Sequence, residues 1–348
     1  MAFQSSDMAA NLTRPGQSNS TGDARALYLK LFSGEMFKGF QHNAIARDLV
    51  MRRTLTKGKS LQFIYTGHTK AEYHTPGNSI LGDSNNAPPV AEKTITVDDL
   101  LISSAFLYEL DEVLSHYDMR SEISRKIGYA LAQKYDRLIF RAITRGARAA
   151  SPITKTNYVE PGGTQIRVGS TANASDAYNA GNLVTAFYDA AAALDEKGVS
   201  QDGRVGVLNP RQYYALIQDI GSNGLVNRDV QGTALQGGEG VVEIAGIKIY
   251  KSNNIPFLGK YGVGTGATIE NTDTTNEKND YGDTTDFANS CGLIFHRDAA
   301  ACVEAIGPSV QTSGSDVSIM YQGDLIVGRL AMGAGPVRVS VAGAFRNV

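Results

Sequence analysis

The chain is poor in the residues that build chemical sites and membrane spans. Its 348 residues include two cysteines and five histidines, and no stretch approaches the roughly 18 consecutive apolar residues a membrane helix requires. Cys291 and Cys302 lie in apolar surroundings and read as reduced core thiols rather than a disulfide or metal pair, which fits a reducing compartment. His42, His68, His74, His116 and His296 never fall at a ligand spacing such as i and i+4 on a helix, so no metal site is expected. His116 with Asp118, and His296 with Asp298, could pair a base with an orienting acid, but no activated nucleophile accompanies either pair. Residues 1–24 are polar and lack the apolar core of a secretory signal. Two nucleotide-binding patterns fail as well. Lys57-Gly58-Lys59-Ser60 has Arg53 where a phosphate loop needs glycine, and Gly262, Gly264 and Gly266 lack dinucleotide spacing. No catalytic residue and no cofactor are expected.

What is present is an ordinary globular composition, 42% hydrophobic and 20% charged, whose length points to two domains or one with long excursions. The net charge of −2 conceals sorting: residues 1–60 carry nine Lys/Arg against four acids, and 120–148 carry eight against two. Residues 260–290 hold six acids and two lysines. Such sorting concerns which surfaces face which partners.

In order along the chain, Ala24–Phe40 is an apolar arm after a polar start. Leu61, Phe63 and Tyr65 alternate with polar residues, and Thr94–Val97 forms a matching run, so 60–98 reads as a long hairpin. The turn-rich stretch between them, with Tyr73, Ile80 and Leu81, needs an apolar surface to lie on, and a neighbouring subunit would supply it. Ser121–Arg148 is the strongest helix, with Ile123, Ile127, Leu131, Tyr135, Leu138 and Ala142 on one face and Gly146 as its stop. A second helix is read at Leu183–Lys197, a buried strand at Arg204–Leu208 and a third helix from Asn209-Pro210 onward. Strands are expected at Val241–Tyr250, Leu293–Phe295, Tyr321–Val327 and Val337–Val341. Without a βαβ rhythm the class is α+β.

On the long helix Lys134, Arg137, Arg141, Arg145 and Arg148 fall within about 80° of one another at 100° per residue. They could be a solvated face near a helix C-terminus, or a surface that meets nucleic-acid phosphate without sequence preference.

The order of parts resembles the HK97-like major capsid proteins of tailed phages, most closely those of T7-like podoviruses. Gly58-Lys59-Ser60 leading to Phe63, and Lys93–Leu101, resemble the two sides of that family's E-loop. His116–Glu122 is similar to the entry of its spine helix. Gly246–Pro256, with Asn209-Pro210 and Gly292–Asp298, looks like its A-domain, and Tyr321–Gly333 resembles the closing strands of its P-domain. The resemblance covers residues 25 to 345 and implies an arm (1–58), an E-loop hairpin (59–98), a P-domain with the spine helix (99–180), an A-domain (181–304) with an acidic insertion (260–290), and closing P-domain strands (305–348).

It further implies a structural, non-enzymatic protein that self-assembles into hexamers and pentamers of a T=7 head around double-stranded DNA. Such a head is assembled in the host cytoplasm, with a separate scaffolding protein and a portal at one vertex and without a membrane. Phe63, Tyr65, Tyr73, Ile80 and Leu81 would meet a neighbouring subunit. Arg47, Arg52 and Arg53 would face the interior with the helical row Lys134, Arg137, Arg141, Arg145 and Arg148. An encapsulin-like compartment around protein cargo, or remotely a hydrolase using one His/Asp pair, are the alternatives.

Overall fold

In the computed structural model the described residues are 45–67, 73–77, 88–97, 99–114, 119–155, 158–169, 174–218, 242–255, 290–313 and 319–346. The apolar arm, residues Ile80 and Leu81, the glycine-rich stretch 221–240 and the acidic insertion lie outside them, apart from Ser290 at the insertion's end. The elements in order are α1 (Ala46–Leu49), β1 (Met51–Thr54), β2 (Ser60–Thr66), β3 (Val90–Thr96), β4 (Leu101–Tyr108), α2 (Glu109–Leu114), α3 (Met119–Arg148), β5 (Thr154–Lys155), β6 (Tyr158–Val159), β7 (Thr164–Arg167), α4 (Ala180–Glu196), β8 (Arg204–Leu208), α5 (Pro210–Gln218), β9 (Val242–Ile244), β10 (Ile247–Lys251), β11 (Ser290–His296), β12 (Ala300–Thr312), β13 (Gly323–Pro336) and β14 (Ala342–Arg346).

Two compact units divide the chain. One takes the described residues of Asp98–Lys134 and Ala305–Met332, the other those of Ile45–Val97, Tyr135–Glu304 and Gly333–Val348.

The larger unit is organised by a mixed six-stranded sheet in the order β7-β14-β11-β8-β10-β9. β8 is buried along its whole length and β11 up to its last residue. Both therefore read as continuous apolar runs, as strands covered on both faces do. Leu183, Phe187, Ala190 and Leu194 of α4 and Tyr213, Leu216 and Ile217 of α5 pack with Leu208, Ile247, Ile249, Ile294 and Phe345 in one core. Phe187 and Phe345 meet edge to face at 5.0 Å. Local chemistry fixes the helix ends. Asn179 Oδ1 accepts from the N–H of Gly181 (2.9 Å) to start α4, and Gly198 follows its C-cap at φ +68°, a conformation glycine adopts freely. Asn209 Oδ1 accepts from Arg211 N–H (3.1 Å), while Gln212 Oε1 accepts from Asn209 N–H (3.2 Å), a reciprocal cap ahead of Pro210 at the first helical position.

In the smaller unit β13 runs antiparallel to β4 from Gly323 opposite Tyr108 to Leu330 opposite Leu101. Ile127 and Leu131 of α3 cover this pair together with Ile326, flanked by the partly buried Leu101, Ala105 and Ile123. The close approach depends on Gly328, since a Cβ there would collide with Ile127 Cγ2 and lie 2.9 Å from Leu131 Cδ1.

Three local readings change. Val241–Tyr250 is not one strand but the hairpin β9–β10, turning at Ala245 and Gly246, both at positive φ (53° and 75°), the signature of a two-residue type I′ turn. Val337–Val341 is not a strand. Val339–Val341 form a 3-10 turn, and Val339, Ser340 and Val341 are all buried, so the alternating sequence does not report alternating exposure. Gly146 does not stop α3. It is buried within the helix, where a Cβ would come 3.0 Å from Pro336 Cβ and 3.3 Å from Ala342 Cβ.

Candidate assembly surfaces

The hairpin β2–β3 is antiparallel, with Ser60 opposite Thr96 and Thr66 opposite Val90. Because side chains alternate across a strand, its two faces differ. Leu61 and Phe63 turn inward and pack with Ile95, Met51, Leu55, Ala301, Val303 and Val337 of their own unit. Tyr65 shares that face and is half-buried. The outward face carries Gln62, Ile64, Thr66, Val90, Glu92 and Thr94, and there Ile64 is 73% and Val90 62% exposed. At the far end Gly67 N–H donates to Pro89 O (2.8 Å), and a Cβ on Gly67 would lie 2.9 Å from Oε1 of the buried Glu160. The hairpin therefore rests on its own unit along one face. Of the expected contact residues Tyr73 is fully exposed and Phe63 is committed internally. Ile64 and Val90 were not among the residues expected to be exposed for contact. The signal for Ile64 was its parity, an apolar residue on the wrong side of the Leu61, Phe63, Tyr65 alternation.

The smaller unit exposes more. α2 leaves Val113 and Leu110 in the open, and the turn before β13 leaves Ile319, Met320 and Tyr321. These lie at one end of the unit, because Glu109 N–H donates to Gln322 O (3.1 Å) and Phe106 meets Tyr321 edge to face at 6.4 Å. Arg120 ties the same end together, bonding Glu112 at 2.9 Å and Asp324 at 2.8 Å. Ile306 and Val310 of β12 are also exposed.

The basic residues sort into different environments. Arg47 Nε and Nη2 each lie 3.2 Å from the carboxylate of Glu304, a buried side chain to which the Tyr135 hydroxyl also donates at 2.7 Å. That hydroxyl is 3.2 Å from Cys302 Sγ. The bond to Glu304 raises the pKa of Arg47, and burial pushes the Cys302 thiol up to about 11 and the fully buried Cys291 thiol up as well. Both thiols are free, as expected. Arg52 and Arg53 are exposed on β1, whose partner is the parallel first part of β12. On α3, Lys134, Arg137, Arg141 and Arg148 are half-buried and only Arg145 is exposed; Arg148 donates to Ser290 Oγ at 3.1 Å. The row is thus not a plain solvated face.

His296 has a structural task here. Its Nδ1 accepts from Asp298 N–H at 3.3 Å and so caps the turn Arg297–Ala299. His116 and Asp118 lie outside the described residues. Among the described residues no cluster of His, Cys, Asp or Glu is suited to a metal ion, and no helix is long and apolar enough to cross a membrane.

Residues 62–346 match the Gp10A-like family of major capsid proteins. The chain belongs to that family. It is 28% identical to the major capsid protein of Escherichia phage T7 over 333 residues, 93% of each chain. The capsid structure of cyanophage P-SCSP1u superposes with a TM-score of 0.72 at 31% identity, covering 97% of this chain and 99% of that one. The mature capsid of bacteriophage PhiM1, at 18% identity, shares the fold with a TM-score of 0.66 over 97% of both. The fold is accordingly HK97-like, as the resemblance implied, and the protein is a structural component of a phage capsid. The surfaces above are marked by exposed apolar side chains.

Proposed function

We propose that the chain builds the head as hexamers and pentamers on a T=7 lattice, enclosing double-stranded DNA. The observation that carries this reading is the membership of the family, together with apolar faces that the subunit leaves uncovered. Rings of like subunits are heterologous contacts that close by rotation, and many weak contacts sum to a firm shell. In this reading 1–58 is the arm, 59–98 the E-loop, 99–180 and 305–348 the P-domain, and 181–304 the A-domain with insertion 260–290. The E-loop meets its neighbour through Tyr73, Ile80 and Leu81 and through the outward residues Ile64 and Val90. Phe63 and Tyr65 set its shape from beneath.

Arg52, Arg53 and Arg145 are the best-exposed cations of the interior set and would face duplex without sequence preference, with Lys134, Arg137, Arg141 and Arg148 behind them. Arg47 contributes less, because Glu304 offsets its charge. A scaffolding protein and a portal complete the assembly, and the subunit performs no chemical step. Electron microscopy of the purified protein, with and without its scaffolding protein, tests the reading. Closed shells of uniform size support it; dispersed subunits under both conditions, or particles that retain a protein cargo instead of DNA, refute it.

A further inference from the structure

Asp136 of α3 is completely buried, yet it accepts hydrogen bonds from two stretches of chain far apart in sequence. From one side come the backbone N–H groups of Ile45, 3.1 Å from Oδ2, and Ala46, 3.0 Å from Oδ1. From the other comes Asn254 Nδ2, 3.2 Å from Oδ2, just beyond β10. Ile45 opens α1 without any side-chain cap of its own, so a carboxylate on another helix supplies the acceptor that a local Ser or Asp would ordinarily give. Asn254 is fixed in turn: its N–H donates to Ser252 Oγ at 3.2 Å, and Ser252 N–H donates to Leu208 O at 2.9 Å, at the end of β8. The preceding residue of the helix makes a second tie to the same segment, since Tyr135 bonds Glu304, which holds Arg47.

We infer that Asp136 is a positioning residue that couples the root of the amino-terminal segment, Ile45–Arg47, to the exit of β10, Ser252–Ile255, so that the two are held or released together. A carboxylate buried in low dielectric depends on each of its donors, and burial already pushes the pKa of Asp136 up against the pull of these three bonds. Loss of the Asn254 donor favours protonation, and a protonated oxygen has one acceptor site fewer for the amides of residues 45 and 46. Coupling of this kind is reciprocal by thermodynamic necessity. Within the proposed shell it links whatever the arm contacts to the A-domain, but the coupling does not depend on that reading.

Hydrogen exchange on the full chain, read in both dispersed subunits and assembled particles, tests it. Asn254→Ala should speed exchange at Ile45 and Ala46 by about tenfold or more, although the substitution lies more than two hundred residues away. Asn254→Asp, which sets two carboxylates face to face, should speed it further, and Asp136→Asn should loosen both stretches. The Asn254 variants keep Asp136 and so remain informative if Asp136→Asn fails to fold. Thr185→Ala, which removes an exposed bond to Gly181 O, serves as the unaffected control. Faster exchange confined to residues 250–255 in the Asn254 variants would overturn the inference. Coupling observed in subunits that never form shells would instead leave it standing and remove the shell reading.

Discussion

The six-stranded sheet closes its core within the subunit: Phe187, Leu208, Ile294 and Phe345 are at most 1% exposed, and two helices share that core. The unit around β4 and β13 buries Ile127, Leu131 and Ile326 and leaves Val113, Ile319 and Met320 at least 70% exposed. Both obey the same packing physics, but among the described residues the second leaves more large apolar side chains in the open. An apolar face left uncovered costs solubility and is retained when a partner covers it. Under the proposed assembly, the comparison sorts residues that hold the subunit together from candidates for contact between subunits.

The largest test strikes the finished core. Phe345→Ala should lower subunit stability by about 3–5 kcal/mol, because it removes the edge-to-face contact with Phe187 and opens a cavity under α4. Loss of soluble subunit, or a sharply lower urea midpoint, is the expected result; a near-neutral effect would mean that the sheet's core is not what holds the subunit together. Next comes Glu304→Gln, which leaves Arg47 and the Tyr135 hydroxyl without their charged acceptor. It should cost roughly 1–3 kcal/mol, measurable by chemical denaturation.

The exposed unit should respond in the opposite sense. Ile319→Ser combined with Met320→Ser should change subunit stability by no more than about 0.5 kcal/mol while reducing the yield of closed shells at fixed protein concentration. Equal loss in both assays would erase the distinction between the two units.

A smaller effect concerns acid. The pKa of Asp136 is raised by burial, so its folded-state value lies above the unfolded one. Its contribution is most favourable below the ordinary carboxylate range and is lost as pH rises through the raised value. The stability difference between wild type and Asp136→Asn should therefore shift in favour of wild type as pH falls from neutral toward 4, read as urea midpoints across pH.

The smallest effect expected is electrostatic. Arg52→Gln with Arg53→Gln should leave empty shells intact and lower the stability of filled heads at low salt, an effect that vanishes as screening shortens to a Debye length of roughly 8 Å or less. Salt-independent behaviour would return these cations to a solvated surface.

The sequence was most legible where pattern and environment agree. Ile127, Leu131, Tyr135, Leu138 and Ala142 are all buried on α3, and β8 and α5 begin where their signals place them. It was misleading where burial is two-sided or where a glycine serves packing. Val337–Val341 alternates in sequence but is enclosed along Val339–Val341, and Gly146 looks like a helix end because nothing in the sequence reveals Pro336 and Ala342 lying against it. The hairpin's existence could be read from its alternation, but which face meets the chain's own unit could not. That choice rests on Ala301, Val303 and Val337, more than two hundred residues downstream. The tie of Arg47 to Glu304 is equally distant, which is why an apparently free cation proved to be held.

The position of β14 bears on the order of synthesis. It is laid between β7 and β11, parallel to one and antiparallel to the other. A nascent chain interrupted before Ala342 thus leaves β7 without its ladder and β11 with an open edge, so the sheet cannot close until the ribosome has made residue 346. Interrupted translation products therefore lack the strand that joins β7 to β11.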